Sequence, residues 1–542
     1  MKQIYNILNI AALVLAGAMT IGCDSLKEEL ELPTPESTLE KTITVTSTVG
    51  LDVSTKALTA AGVKTFAADE TIAVFYTNES SELVKTTYTF TAGDLIDGGR
   101  RATITVSMTE PLAGGAVKYI YPATMANDNG TVKYTALDTQ DGTLESLAAT
   151  LDLATYEGTL ADGPALPESV TLSNQLAIGE FTVKNTSGDD ITSSLTELLV
   201  SDGTNTYTIT RAAAAGPIYV AMKPVADTEV LTLTATDNAA TPNHYMKVVT
   251  GATLASNNMY PVNLTVYPAL NVAELTGSKY EISDGYWLYG TQTSKVKLQI
   301  ADGAHVTLAG VTITPTYSSP GIQCLGDATI TLAVGSTNTV TSGIVDFAGI
   351  SAGPAGKTLS IGGEGTLTAS CKPNFNGEVY AAGIGANSSP STCGDIVITG
   401  GTIYANGGSH GAGIGSGMGS GGESRISRCG NITICGGAVV ATGGGLSAGI
   451  GSGHADSGQS HCGTVTITAG AKSVTATGCM SIGEGEDLSY GTSCGTITID
   501  GHELTAAERS NPATTSFTNF NSAYDTSHYD DDHTYTWTLT HN

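Results

Sequence analysis

Positive charge is scarce in this chain of 542 residues. Only 23 Lys+Arg stand against 51 Asp+Glu, and the formal net charge is −28. Nonspecific nucleic-acid binding needs clustered cations against phosphates, and docking on anionic lipid needs them too, so both are excluded. Charge of either sign is sparse, at 14% of residues. Ala, Thr, Gly, Val and Ser are abundant instead. A helical fold would want more Leu, Glu, Lys and Arg, so the balance points to β structure. No segment beyond the first 22 residues is apolar for long enough to suggest a membrane span. No phosphate loop, dinucleotide fingerprint or nucleophile elbow is present; the many GxG triplets belong to strand corners. No CxxC occurs, which leaves the nine cysteines without metal-ligand spacing. What is present is a hydrophobic content of 40%, enough for real cores, in a length that suits two to four domains.

The start of the chain reads as an address. Met1-Lys2-Gln3 is weakly basic, and the apolar run Leu8–Gly22 is short for a bilayer span and fits a signal-peptide core. Residues 1–22 are therefore expected to be a signal peptide. Thr20-Ile21-Gly22-Cys23 resembles a bacterial lipobox, with Thr where Leu is usual, and the resemblance implies lipidation at Cys23. An ordinary secretory signal is the alternative. The acidic stretch Asp24–Glu31 resembles the surface-export signal of Bacteroidetes lipoproteins, and residues 23–41 read as a flexible acidic tether. These features imply an outer-membrane protein held by lipid alone, at the cell surface or in a fimbria.

The chain changes character near residue 270. Of 66 Gly, 18 precede residue 271 and 48 follow it; Cys23 is the only Cys before that point. Residues 42–268 contain short alternating runs such as Thr42–Thr48, Ala102–Met108, Ile178–Lys184 and Thr228–Ala235, separated by Asp-Gly and Asn-Gly turns. This predicts an antiparallel β-sandwich without a helical stripe of useful length, Leu144–Leu153 being the one candidate for a short helix. The runs Ser54–Leu58 and Phe66–Tyr76, the late Ile218–Met222 and the closing Asn258–Val266 resemble the fimbrillin-like lipoproteins of Bacteroidetes. The resemblance implies β-sandwich subunits that join by donating a strand to a neighbour's open groove. In that family an Arg-directed protease exposes the groove, yet no Arg precedes Arg100 here.

Residues 271–510 repeat. Ile322, Ile350, Ile384, Ile414, Ile450 and Ile482 occupy one column at intervals of 28, 34, 30, 36 and 32. A second column follows: Cys393-Gly394, Cys429-Gly430, Cys462-Gly463 and Cys494-Gly495, each ahead of a short Ile/Val/Thr strand. A unit of about 30 residues with short strands and glycine corners cannot bury its own apolar face, but a stack of units can. The fold class expected is all-β: a fimbrillin-like sandwich, then a parallel β-helix of roughly 30-residue coils, then a cap or strand over 511–542. A propeller is the competitor, though its blades need four longer strands. The aligned cysteines fit an internal thiol ladder or bridges between coils.

The β-helix half resembles carbohydrate-binding β-helix modules of bacterial surface proteins, which implies a glycan or surface-protein ligand. The polar insertions Ser388–Ser391, Ser416–Arg428 and Ser452–His461 fall at one place in the coil and are expected to emerge on one side. Candidate ligand contacts are Tyr286, Trp287 and Tyr289, which would stack on a sugar or cap the stack, and His454 with Asp456 beside an insertion. Polysaccharide cleavage needs clustered carboxylates, or Ca²⁺ with a base. From Ala382 to Gly483 the acidic residues are Asp395, Glu423 and Asp456, which fall in different columns or loop tips, so no catalytic residue is assigned. Glu484, Glu486 and Asp487, and Asp530-Asp531-Asp532-His533, read as solvated acidic loops with at most a weak Ca²⁺ site; no cofactor is expected. The reading is a lipid-anchored adhesin, with fimbrial subunits as further partners. A polysaccharide lyase or hydrolase and a purely structural fimbrial subunit are the alternatives.

Overall fold

The computed structural model describes residues 42–51, 65–161, 165–226, 229–488, 491–527 and 533–542. Cys23, the tether and Asp530–Asp532 lie outside them. The chain is all-β; its α-helices among the described residues are the short segments Leu144–Ser146 and Ala506–Ser510. Before residue 270 the strands are mostly antiparallel. Thr42–Leu51 lies between Arg101–Thr109, its antiparallel partner, and Ser169–Asn174, its parallel partner. The run Ile72–Tyr76 is buried throughout rather than alternating. The reason is that its two faces serve different interiors. Ile72, Val74 and Tyr76 join one apolar cluster with Val49, Phe66 and Ile104. Ala73 and Phe75 join another with Phe181, Leu198 and Val220. A strand buried on both faces reads as a continuous apolar run.

The change of composition near residue 270 falls on a strand. Tyr267–Asn271 pairs antiparallel with His244–Thr250 and parallel with Trp287–Gln292, so hydrogen bonding is continuous across it. Beyond it almost every pairing is parallel. Ile322, Ile350, Ile384, Ile414, Ile450 and Ile482 pair in register in one eight-stranded sheet. A second file, Val306–Ile330–Ile361–Ile398–Ile434–Ile467–Ile499, runs through the long sheet that forms another wall. The side chains of both files are at most 2% exposed and belong to one interior cluster. Each such burial contributes roughly 1.5–3 kcal/mol.

The polar insertions do fall at one place, but they are not loose. Ser391–Thr392, Ile426–Arg428, Gln459–Cys462 and Thr492–Cys494 pair in parallel as a third wall. The Ile column is followed by glycine for a steric reason. Gly385, Gly415, Gly451 and Gly483 hold φ between +140° and +146°. A Cβ on Gly415 would collide with the Gly451 carbonyl oxygen, and one on Gly385 with that of Gly415. Cys393, Cys429, Cys462 and Cys494 stack along the third wall, and the Sγ atoms of Cys429, Cys462 and Cys494 lie 3.8–4.0 Å from carbonyl oxygens of the preceding coil. All eight described cysteines are free thiols. Burial pushes the Cys324 and Cys479 thiols up to about 12 and Cys371 to about 11. At the far end Tyr535–His541 pairs antiparallel with Ser473–Gly478 and with Phe520–Asp525, and Trp537 and Leu539 close the interior.

Ile414→Ala is expected to cost about 2–5 kcal/mol in denaturant unfolding, the range for a buried aliphatic side chain. Gly415→Ala should destabilise by about 1–3 kcal/mol, because backbone has to move. A thiol reagent should react slowly with the six buried cysteines of the native chain, Cys324, Cys371, Cys393, Cys429, Cys462 and Cys494, and rapidly with all eight once it is unfolded.

Candidate functional site

One corner of the stack carries a strip of mostly polar and aromatic side chains that forms the candidate site. It is built from two positions in each coil: four residues before the column isoleucine, and four residues after it. Before it stand Asp346, Tyr380, His410 and Leu446; after it stand Ser388, Met418, His454 and Glu486. The backbone ties the two positions together across adjacent coils. The amides of Ser388, Met418, His454 and Glu486 donate to the carbonyls of Asp346, Tyr380, His410 and Leu446 at 3.0, 2.6, 2.9 and 2.9 Å. Each rung thus sets two side chains beside each other, and the rungs follow one another along the stack, about 4.8 Å apart as neighbouring strands are.

The side chains interact along and across the rungs. Ser388 Oγ donates to Asp346 Oδ1 at 3.1 Å. The Tyr380 and His410 rings meet edge-on at 5.3 Å, and the His410 and His454 rings are 5.2 Å apart and tilted by 52°. Glu378 reaches the strip from the turn Asn374-Phe375-Asn376-Gly377. Asn374 Oδ1 accepts from the amides of Asn376 and Glu378, and Gly377 supplies φ +83°. Cys371, Val379 and Ala381 form a small apolar cluster on the same segment, and Phe375 stands 96% exposed at the tip of the turn. Tyr380 Oη donates to Glu378 Oε2 at 2.6 Å, and Asn374 Nδ2 donates to the same oxygen at 2.8 Å. These bonds hold the Glu378 carboxyl below its usual range, and the one from Tyr380 raises the phenol. The last rung, Leu446 with Glu486, opens into a cleft of about 570 Å³ lined also by Cys479, Met480, His533 and Tyr535.

The two histidines differ in their partners. His410 Nδ1 lies 2.8 Å from Ser409 Oγ, which also accepts from the Val379 amide. His454 is 2% exposed, and neither ring nitrogen has a hydrogen-bond partner. A buried imidazole left without partners is costly and marks a place where polar groups are held for a ligand or water. Burial lowers both imidazole pKa values; for His410 the neighbouring His454 adds to the effect. Both rings are therefore neutral at pH 7, able to donate and to accept.

The sequence-predicted contacts fall into two groups. Trp287 stacks on Tyr267 at 5.3 Å and 18°, and with Tyr289 packs against Met246, Ala269, Ala309 and Ala333. Tyr286 packs on the edge of the coil interior, and burial raises the Tyr289 phenol to about 12. These three sit together where the antiparallel part meets the first coils. His454 and Asp456 sit together on the strip, several rungs away; Asp456 is exposed and its charge acts on both histidines. Sequence reasoning missed Tyr380, Glu378, His410 as a partner of His454, and the Asp346–Ser388 pair. The usable signal was their fixed offset from the column isoleucine. Among the described residues no three His, Cys, Asp or Glu converge to hold a metal ion.

No protein-family model matches the chain, and no curated protein matches it. Solved structures resemble part of it. A candidate cell adhesion protein from Bacteroides ovatus is 14% identical over 42% of this chain and 92% of its own, with a TM-score of 0.27. A candidate cell adhesion protein from Bacteroides fragilis is 14% identical over 38% and 82%, with a TM-score of 0.25. Candidate polysaccharide binding proteins from Bacteroides thetaiotaomicron are 10% identical over 36% and 77%, with a TM-score of 0.22.

Because both imidazoles resist protonation in the folded state, the unfolded chain takes up more protons as pH falls below about 6.5. Their contribution is complete above that pH and is lost as pH drops through the lowered folded values. His454→Gln should therefore flatten the fall in melting temperature between pH 6.5 and 5. An unchanged slope would mean that His454 titrates as a free imidazole.

Proposed function

We propose that this chain is a surface-displayed adhesin whose coil stack, a parallel β-helix over residues 271–510, binds glycan along the strip from Asp346 to Glu486. The observation that carries the reading is the unpartnered, buried His454 set against His410 and Tyr380 in a row of polar and aromatic groups. Sugar recognition wants ring edges and faces beside donors and acceptors that are already in place. The strip offers both, on regular backbone that moves little. Residues 42–268 are the fimbrillin-like base, residues 23–41 the tether, and Cys23 the lipid anchor that holds the protein at the outer membrane. His454 and Asp456 belong to the binding strip together with Tyr380, His410 and Glu378. Tyr286, Trp287 and Tyr289 serve the junction between base and β-helix.

A panel of immobilised oligosaccharides probed with the mature chain tests this. Tyr380→Ala should weaken retention on the bound glycans at least tenfold, about 1.4 kcal/mol, with little loss of melting temperature. Retention unchanged by Tyr380→Ala and by His454→Gln would place binding elsewhere. Release of shortened or unsaturated sugars would make the protein an enzyme instead.

A further inference from the structure

The strip carries four carboxylates, Asp346, Glu378, Asp456 and Glu486, that no ion pair among the described residues neutralises. Between Lys372 and Lys472 the sequence has no lysine, and its two arginines there are Arg425 and Arg428. Arg428 lies in the third wall, paired with Thr392 and His461. The histidines on the strip are neutral at pH 7 and supply no compensation. Carboxylates that hold hydrogen bonds but no ion-pair partner favour a cation, and most strongly beside buried, low-dielectric groups such as His454.

The geometry narrows the kind of cation. Among the described residues no three ligating groups converge, so these four carboxylates do not by themselves gather around a point. They are spread instead over successive rungs: Asp346 on the first, Glu378 beside the second through Tyr380, Asp456 close to the third, Glu486 on the fourth. An extended ligand with repeated positive charge meets that spacing. A peptide strand would add itself through free backbone groups, but at this corner the rung amides of Ser388, Met418, His454 and Glu486 are already taken. Among the described residues of the strip, both His454 ring nitrogens are buried without a hydrogen-bond partner, and they suit hydroxyl groups.

We infer that the strip is selective for an amine-bearing glycan, a chain of hexosamine units with unacetylated amino groups, over neutral and acidic polysaccharides. The inference rests on the strip being the glycan site proposed above. The amino groups pair with Glu378, Asp456 and Glu486, while the hydroxyls hydrogen-bond to His454 and His410. Uronic-acid polymers are repelled by the same carboxylates.

Titration calorimetry with the mature chain at about pH 6 tests this with four probes: a glucosamine hexamer, its fully N-acetylated counterpart, oligogalacturonate and oligolysine. The glucosamine hexamer should bind at least tenfold more tightly than the acetylated one, and oligogalacturonate should not bind. Raising salt from 50 to 500 mM should weaken the complex, and Glu378→Gln with Asp456→Asn should remove the preference; Asp456 is exposed and Glu378 half-buried, and an unchanged melting temperature of the double variant checks that the fold is retained. Equal or tighter binding of the acetylated hexamer would overturn the amine selectivity and leave the glycan site standing. Oligolysine binding as tightly as the glucosamine hexamer would overturn the glycan class, since charge alone would then explain capture. No binding of any sugar would overturn both the selectivity and the glycan site.

Discussion

The strand-to-strand register of the coils is the constraint on which the rest depends. A parallel rung fixes which residue lies over which, and a slip of one residue would turn every buried isoleucine outward. Two files of Ile and Val, a file of glycines and a file of thiols all lie in that register. The glycine file is the strictest of them. Its φ values are open to few other residues, and a single added methyl group meets backbone rather than a movable side chain. Interior packing supplies the energy of the stack, while the glycines supply its uniqueness.

The same register makes the strip. No loop has to be folded into position to bring His410 to His454 or Tyr380 to His410. They meet because the residue four places before one isoleucine is bonded to the residue four places after the next. Side chains at those two positions are free to vary while their placement stays fixed. Only Glu378 depends on a local device, the Asn374–Glu378 turn. A strip held on regular backbone in this way has little conformational entropy to lose when a ligand is bound.

Much of the architecture was legible in the sequence. The isoleucine intervals located the first parallel sheet, and the Cys-Gly repeats located the start of the strands in the next. Alternating runs gave most strands of the antiparallel part, including Arg101–Thr109 and Val230–Asp237 within a residue or two. Two features were hidden for physical reasons. Ile72–Tyr76 looks like one buried strand but divides two interiors, which no local pattern reveals. The strip was hidden because its positions share no residue type: Asp, Tyr, His and Leu on one side, Ser, Met, His and Glu on the other. Insertions of unequal length, such as Ser416–Arg428, further obscure the offset. The aromatic run Tyr286–Tyr289 drew attention by composition, whereas its surroundings are the packing seam around Tyr267 and Met246.

Amide hydrogen exchange on the mature chain tests the register most directly. The amides of Ser388, Met418, His454 and Glu486 should exchange as slowly as those of Ile384, Ile414 and Ile450, because each is bonded to the coil before it. Exchange at the rate of the exposed turn Phe375–Gly377 would mean that the rungs are not formed, and with them the strip would go.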